Sequence, residues 1–486
     1  MFFKGNSRLS GDCVLVGLCA TGMLAPGTSA SWQQMHKLLA YDGGAWRGFG
    51  ACVALSGDIA FVGSPGAGAD ETDSGSVYVF NAVTGEQLAN FAADDAQAAD
   101  VFGSAIAVDG GLAIIGAGGH DDPELNCGAA YVFDVSDPAN PLQLRKLTPN
   151  NANTDDFFGS AVAIEGTLAV VGAPFKVDAA GVAYIFDVTT GEQLHQLLRD
   201  DPATGDAFGL PVAISGEIVL AGAYGDDDAG DDSGAVYVFD AATGEQTHKF
   251  LAEDTEAGDR FGQYFSMEGD LALISAFLDD DAGENAGSAY LFDLADPAQP
   301  LQLTKFIADG VQPDDRFGGG VCLCGAVAII AAWKDDDAAP NAGAAYTFDV
   351  SDPQNPAQLA KLTAEDGEAE ERFGEQAVAI DGEFALVGVR WDNDMGQASG
   401  SAYIFQDIQC PADFDGDGDV DTADLLYLLG AWGTPDGDVD GDGDTDTADL
   451  LALLGAWGPC RQAIGSTQVD DAPELRTQAL NERGKT

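Results

Sequence analysis

The densest run of side chains able to hold a ligand lies near the C-terminus. Carboxylates fall at alternate positions, Asp413, Asp415, Asp417, Asp419 and Asp421, and then at Asp424. The spacing returns at Asp438, Asp440, Asp442, Asp444, Asp446 and Asp449. Numbered from Asp413 or Asp438, these are loop positions 1, 3, 5, 7, 9 and 12, with Gly418 or Gly443 at position 6. Oxygens at such alternation surround a hard cation, and the glycine permits the sharp turn. Position 7 ligates through its carbonyl and position 9 often through water. The expected ligands of a first calcium ion are therefore Asp413, Asp415, Asp417, Asp419 and Asp424. Those of a second are Asp438, Asp440, Asp442, Asp444 and Asp449. Segment 410–460 holds thirteen Asp and no Lys or Arg, so without a cation its own repulsion opposes folding. Metal binding there is also folding energy.

Each loop runs into an apolar stretch, 425–432 and 450–457, expected to be helical. Two tandem EF-hand-like loops, with Asp rather than Glu at position 12 and one helix after each, resemble a dockerin type I domain over 410–460. The resemblance implies calcium-dependent attachment to a cohesin-like module of a scaffold or cell-surface protein. Positions 10 and 11 are Thr422-Ala423 and Thr447-Ala448, where that family usually carries polar pairs, and the helices lack its basic ends. Cys410 and Cys460 flank the duplicated unit symmetrically, and an exported chain permits their pairing. Such a clasp is worth roughly 3–5 kcal/mol on the chain-entropy model.

The remainder is built from repeats. Phe-Gly recurs at Phe49, Phe102, Phe158, Phe208, Phe261, Phe317 and Phe373. A second landmark, Tyr-x-Phe, keeps step at Tyr78, Tyr131, Tyr184, Tyr237, Tyr290, Tyr346 and Tyr403. A repeat of that length signals a stacked or radial array. In the copy 208–250, four short apolar runs (211–214, 218–223, 235–239 and 245–251) read as strands. Ser215-Gly216 joins the first two, and the glycine supplies the positive φ of a tight hairpin. Four antiparallel strands without an intervening helical pattern describe a propeller blade. The last copy lacks its fourth strand, while an unclaimed one, 36–40, precedes the first Phe-Gly. The fold expected is all-β: a seven-bladed β-propeller closed by an N-terminal strand, followed by a small α-helical EF-hand-like domain. An open β-solenoid is the structural alternative.

Phe-Gly followed by Val-Gly-Ala-Pro at 171–174 is similar to the FG-GAP repeat of integrin α-chain propellers and many bacterial surface proteins. The resemblance covers roughly 35–405 and implies adhesion or protein interaction. The calcium sites of that family are not carried over, because the hairpin that holds them is a two-residue turn here.

The composition excludes some partners. With 81 acidic against 20 basic residues the net charge is −61, which repels nucleic acid and anionic membranes. At 46% hydrophobic residues the chain can still bury a core. Residues 1–30 read as a secretory signal, with Lys4 and Arg8 ahead of an apolar stretch and Thr28-Ser29-Ala30 as the cleavage site. No later run has the ~18–20 apolar residues of a membrane span. Cys52, Cys127, Cys322 and Cys324 are expected to be buried thiols. The domains expected are a propeller at 31–408, a calcium module at 409–461 and a loose tail at 462–486. The four histidines sit at unrelated repeat positions, and no nucleophile or metalloprotease motif occurs. The reading is a secreted or cell-surface, non-enzymatic interaction protein, with a protein or glycan ligand on its propeller. An accessory or catalytic part in a polysaccharide-degrading assembly is the alternative. The acidic loops after each second strand and before each Phe-Gly should share one face, as a cation-dependent surface or a solvated one.

Overall fold

The structure is a computed structural model that describes residues 32–67, 73–407, 412, 414, 419–433, 439 and 445–459. It divides into two units, one ending at Asp407 and one beginning at Ile408. The first unit is the expected all-β, seven-bladed propeller. In the fourth blade the strands Val212–Ser215, Ile218–Ala223, Ala235–Asp240 and Gln246–Phe250 pair antiparallel in that order. Gly216, at φ 58°, starts the two-residue turn between the first two. The second strand is buried along its whole length, while the fourth is partly exposed. An inner strand packed on both faces needs an unbroken apolar run, and an edge strand does not.

Five other sheets repeat this order with consecutive strands. The remaining sheet is composite: Trp32–Leu38 pairs antiparallel with Ser401–Asp407, outside Phe384–Val389 and Val378–Asp381. Each first strand packs against the first strand of the next blade, and Val378–Asp381 packs against Cys52–Ser56, so the inner strands form a ring.

Both sequence landmarks belong to one packing unit. The phenylalanine of Phe-Gly packs on the Tyr and Phe of its own blade's third strand, as Phe208 does on Tyr237 and Phe239 with ring centroids 5.4 and 5.8 Å apart. The same three-ring cluster occurs in all seven blades, from Phe49 with Tyr78 and Phe80 to Phe373 with Tyr403 and Phe405. Its backbone binds the preceding blade: Phe208 N–H donates to Ala180 O, Phe102 N–H to Ser74 O, and Phe49 N–H to Ser399 O of the seventh blade. The glycine that follows sits at positive φ, 89° at Gly209. Its carbonyl rests against the second-strand glycine of the preceding blade, so a Cβ on Gly172 would land on Gly209 O and one on Gly388 on Gly50 O.

Among the described cysteines, Cys127 and Cys322 are buried free thiols, and burial pushes the Cys322 thiol up to about 11. Cys52 and Cys324 are disulfide-bonded, which corrects the expectation of four buried thiols. Spacing along the chain carries no distance between strands of different blades. No helix among the described residues is long and apolar enough to cross a membrane.

Gly172→Ala should destabilise the propeller by about 1–3 kcal/mol, since the neighbouring backbone must shift. Gly44→Ala, whose Cβ would meet only Arg47 Nε at 3.6 Å, should leave the melting temperature unchanged.

Candidate functional site

The acidic loops converge on lysines. A lysine on the outermost strand lies directly opposite the third-strand tyrosine in the pairs Tyr403–Lys37, Tyr131–Lys146, Tyr237–Lys249, Tyr290–Lys305 and Tyr346–Lys361. Cross-strand partners project to one side, and each ammonium lies 5.1–5.9 Å from the tyrosine ring centroid. The loop after the second strand and the segment leading into the same blade's own Phe-Gly then bring carboxylates around it. Lys249 Nζ is 2.9 Å from Asp201, 2.8 Å from Asp226 and 2.6 Å from Asp228. Lys305 has the same distances to Asp254, Asp279 and Asp281. Lys37 meets Asp366, Asp392 and Asp394 at 2.7–2.8 Å. Lys361 has two carboxylates, Asp335 and Asp337, because Gly310 stands at the third position.

Three blades are variants; in the first, Asn90 stands opposite Tyr78, whose hydroxyl donates to Asp42. In the second, His120 replaces the loop aspartate: its Nδ1 is 3.0 Å from Asp100 and its Nε2 2.6 Å from Lys146 Nζ. In the third, Gln196 faces Tyr184, and Lys176 reaches in from the loop to Asp156 and to Asn151 O.

The carboxylate oxygens of Asp201, Asp226 and Asp228, and those of Asp254, Asp279 and Asp281, lie within 4.8 Å of one another, a grouping able to hold a metal ion. The lysine ammonium already supplies a cation there. Sequence reasoning placed the carboxylates and missed these lysines. The available signal was a Lys before the last Leu or Phe of five of the seven outer strands, as in Lys146-Leu147 and Lys249-Phe250.

Charge and burial compete in these cages. Burial opposes the ionised form of Lys37, Lys249, Lys305 and Lys361, but hydrogen bonds to the surrounding carboxylates overcome it and raise each pKa. Burial likewise raises Asp201, Asp254 and Asp366, and bonds from the lysine and tyrosine pull them below the usual carboxylate range. The lysine contribution is complete below the unfolded lysine pKa and is lost as pH rises through the folded value. The aspartate contribution is present above the unfolded value and is lost as pH falls through the folded one. Beneath two cages lies an opposing pair. Burial pushes Asp259 and Asp315 up to about 6, helped by the charges of Asp279 and Asp335.

Among its described residues the second unit has two helices, Thr422–Gly430 and Thr447–Ala456. They begin three residues before the expected 425 and 450, because Asp421 and Asp446 cap them by accepting Ala423 and Ala448 N–H. Asp424 and Asp449 are fully buried. Asp424 accepts Phe414 N–H at 2.6 Å and Asp421 N–H at 2.8 Å. Asp449 accepts Val439 and Asp446 N–H, both at 2.7 Å. Each carboxylate thereby ties the beginning of its loop to the helix. Of the remaining expected ligands, Asp419 is placed by its backbone in the short strand Asp419–Val420, paired with Gly458–Pro459. Asp413, Asp415, Asp417, Asp438, Asp440, Asp442 and Asp444, and the pair Cys410–Cys460, lie outside the described residues.

A family model described as FG-GAP repeat matches residues 32–80, 86–133, 142–186, 192–239, 245–292, 301–348 and 356–405. Each matched segment takes in an outermost strand and the three inner strands of the following blade. No curated protein matches the chain.

Lys249→Met should cost about 2 kcal/mol at pH 7, less than the ~3–5 of breaking a fully buried pair, because Asp201 and Asp228 face water. The loss should shrink near pH 4, as thermal melts across pH would record. Asp259→Asn should melt a few degrees above the parent at pH 7.5, and the gap should narrow as pH falls through about 6 and close only below the unfolded value of 3.8, where Asp259 is protonated in both states.

Proposed function

Because the chain belongs to the FG-GAP repeat family, we propose that it is an exported, non-enzymatic interaction or adhesion protein. Its propeller is a platform for a protein or glycan ligand, and its C-terminal unit is a calcium-dependent attachment device. The observation that carries this reading is the ring of seven blades, which holds one set of inter-strand loops on a rigid scaffold. Binding residues sit on loops positioned by such scaffolds. In the same reading the strand Trp32–Leu38 locks the ring by completing the last blade. Residues 1–30 direct export to the cell surface or medium.

The C-terminal unit is read as a dockerin-like pair of EF-hand-type loops. Asp424 and Asp449 fit that role, since a fully buried carboxylate at loop position 12 and a helix start capped by position 9 repeat in both halves. Calcium would be held by Asp413, Asp415, Asp417, Asp419 and Asp424, and by Asp438, Asp440, Asp442, Asp444 and Asp449. It would supply the charge that lets these carboxylates lie together. A bridge between Cys410 and Cys460 would clasp the unit, and its partner would be a cohesin-like or other cell-surface protein.

Calcium at 1 mM should raise the melting transition of the C-terminal unit by ten degrees or more relative to chelator. Asp424→Ala with Asp449→Ala should abolish the shift, and a melt blind to calcium would overturn the calcium assignment. Pull-downs from the organism's envelope and secreted fraction should use the full chain and a bait ending at Asp407. A partner kept by the full chain only with calcium, and lost from the shorter bait, would establish attachment through the C-terminal unit. Turnover of polysaccharides or glycosides by either bait would overturn the non-enzymatic reading.

A further inference from the structure

Lysine and arginine are scarce in the propeller, and half of its fourteen are used inside it. Lys37, Lys146, Lys249, Lys305 and Lys361 occupy the cages, and Lys176 and Arg199 lie in buried ion pairs. Four others meet at one place. Arg316 and Arg372 immediately precede the Phe-Gly of the sixth and seventh blades, and Lys334 and Arg390 follow the second strands of the same blades. They are gathered around two indoles. The Arg316 guanidinium is 4.8 Å from the Trp333 ring centroid, Lys334 Nζ 5.5 Å and Arg372 5.1 Å. Arg372 is also 5.5 Å from the Trp391 centroid, and Arg390 5.0 Å.

The cluster is specifically built. A Cβ at Gly319 would collide with the Trp333 indole, and this is the glycine-bearing blade at a position that elsewhere holds Ala51, Ser104, Ser160, Leu210, Gln263 and Glu375. Glu375 accepts the Trp391 indole N–H and is 3.2 Å from Arg372 Nη1, which fixes both side chains. Asp314 takes Lys334 at 2.9 Å and lies 3.5 Å from Arg316 Nε, which makes no hydrogen bond. Burial opposes ionisation of Asp314, and the Lys334 and Arg316 charges hold its carboxyl below the usual range.

Four cations thus face two carboxylates, a local excess of positive charge in a chain of net −61. The side chains of Lys334, Arg316 and Arg372 are 20%, 27% and 33% exposed, so they are held and still reachable. Arg390, stacked on Trp391, makes no hydrogen bond or ion pair among the described residues. A guanidinium fork held by an aromatic face and lacking a partner is a receptor for a planar carboxylate. Arg and Trp are also the side chains that dominate protein–protein contacts. The surrounding loops, with Asp336, Asp337 and Glu370, repel a polyanion more than a single acid on a neutral or basic surface.

We propose that the Arg316–Arg372–Arg390 cluster on Trp333 and Trp391 seats an Asp or Glu side chain presented by a protein partner. The proposal rests on the reading of the propeller as a binding platform and names the chemistry of one contact on it. The test uses the full chain and fluorescence anisotropy at low salt. Its probes are a labelled twelve-residue Gly/Ser peptide, capped at both ends and carrying one Glu, its Gln twin, and polygalacturonate as competitor. The Glu peptide should bind at least about ten-fold tighter than the Gln peptide. Arg390→Ala should remove that preference with an unchanged melting temperature, and Arg390→Lys should restore part of it. Equal binding of the two peptides, or a preference that survives Arg390→Ala, overturns the proposal. Polygalacturonate binding tighter than the Glu peptide, with the same dependence on Arg390, overturns it in favour of an acidic glycan. Partners pulled down equally by the parent and Arg390→Ala chains would leave the platform reading standing and remove this site alone.

Discussion

The propeller depends on how closely two blades can approach at Phe-Gly. The phenylalanine belongs to the ring cluster of its own blade, while its N–H and the following carbonyl belong to the blade before. A single dipeptide therefore carries intra-blade packing and inter-blade hydrogen bonding at once. The close approach of Gly172 to Gly209 tolerates no side chain. Interiors packed to crystal density respond to one added methyl, because no void is available to take it. In the fifth and sixth blades Ser275 and Ala331 replace the second-strand glycine, and both are fully buried.

A second constraint is electrostatic. Loops dense in aspartate cannot fold back on a blade unless something offsets their charge, and the outer-strand lysines do so from within. Asp226 and Asp279 are buried, yet each lies 2.8 Å from an ammonium and accepts a tyrosine hydroxyl. The C-terminal unit holds a comparable density of aspartate without any lysine or arginine in 410–460. No basic side chain of that segment can offset its charge.

Much of this architecture was legible in the sequence. The strands of the copy 208–250 lie within a residue or two of their expected limits, because alternation, turn glycines and the two aromatic landmarks all mark them. The carboxylates around each cage were legible as acidic loops. Their lysine partners were not, because a lysine on an outer strand looks like any solvated edge residue until Tyr237 and Lys249 are placed in register. The Arg–Trp cluster was illegible for a related reason. Arg316, Trp333 and Arg390 are far apart in the chain, and the glycine that makes room for the indole looks like one more turn residue. The helix starts were misjudged by one turn because hydrophobicity marks where a helix becomes apolar, whereas Asp421 and Asp446 mark where it is capped.

The pairing of Trp32–Leu38 with Ser401–Asp407 has a consequence for the order of events at birth. Six blades are assembled from strands that follow one another along the chain, so each has all its parts soon after it is synthesised. The seventh joins the propeller's first strand to one that arrives more than six repeats later. Until then Trp32–Leu38 has no partner and the Phe49 amide has no Ser399 carbonyl to meet. The ring is thus completed by its longest-range contact, a step that depends on topology and the waiting time of synthesis more than on the strength of any blade.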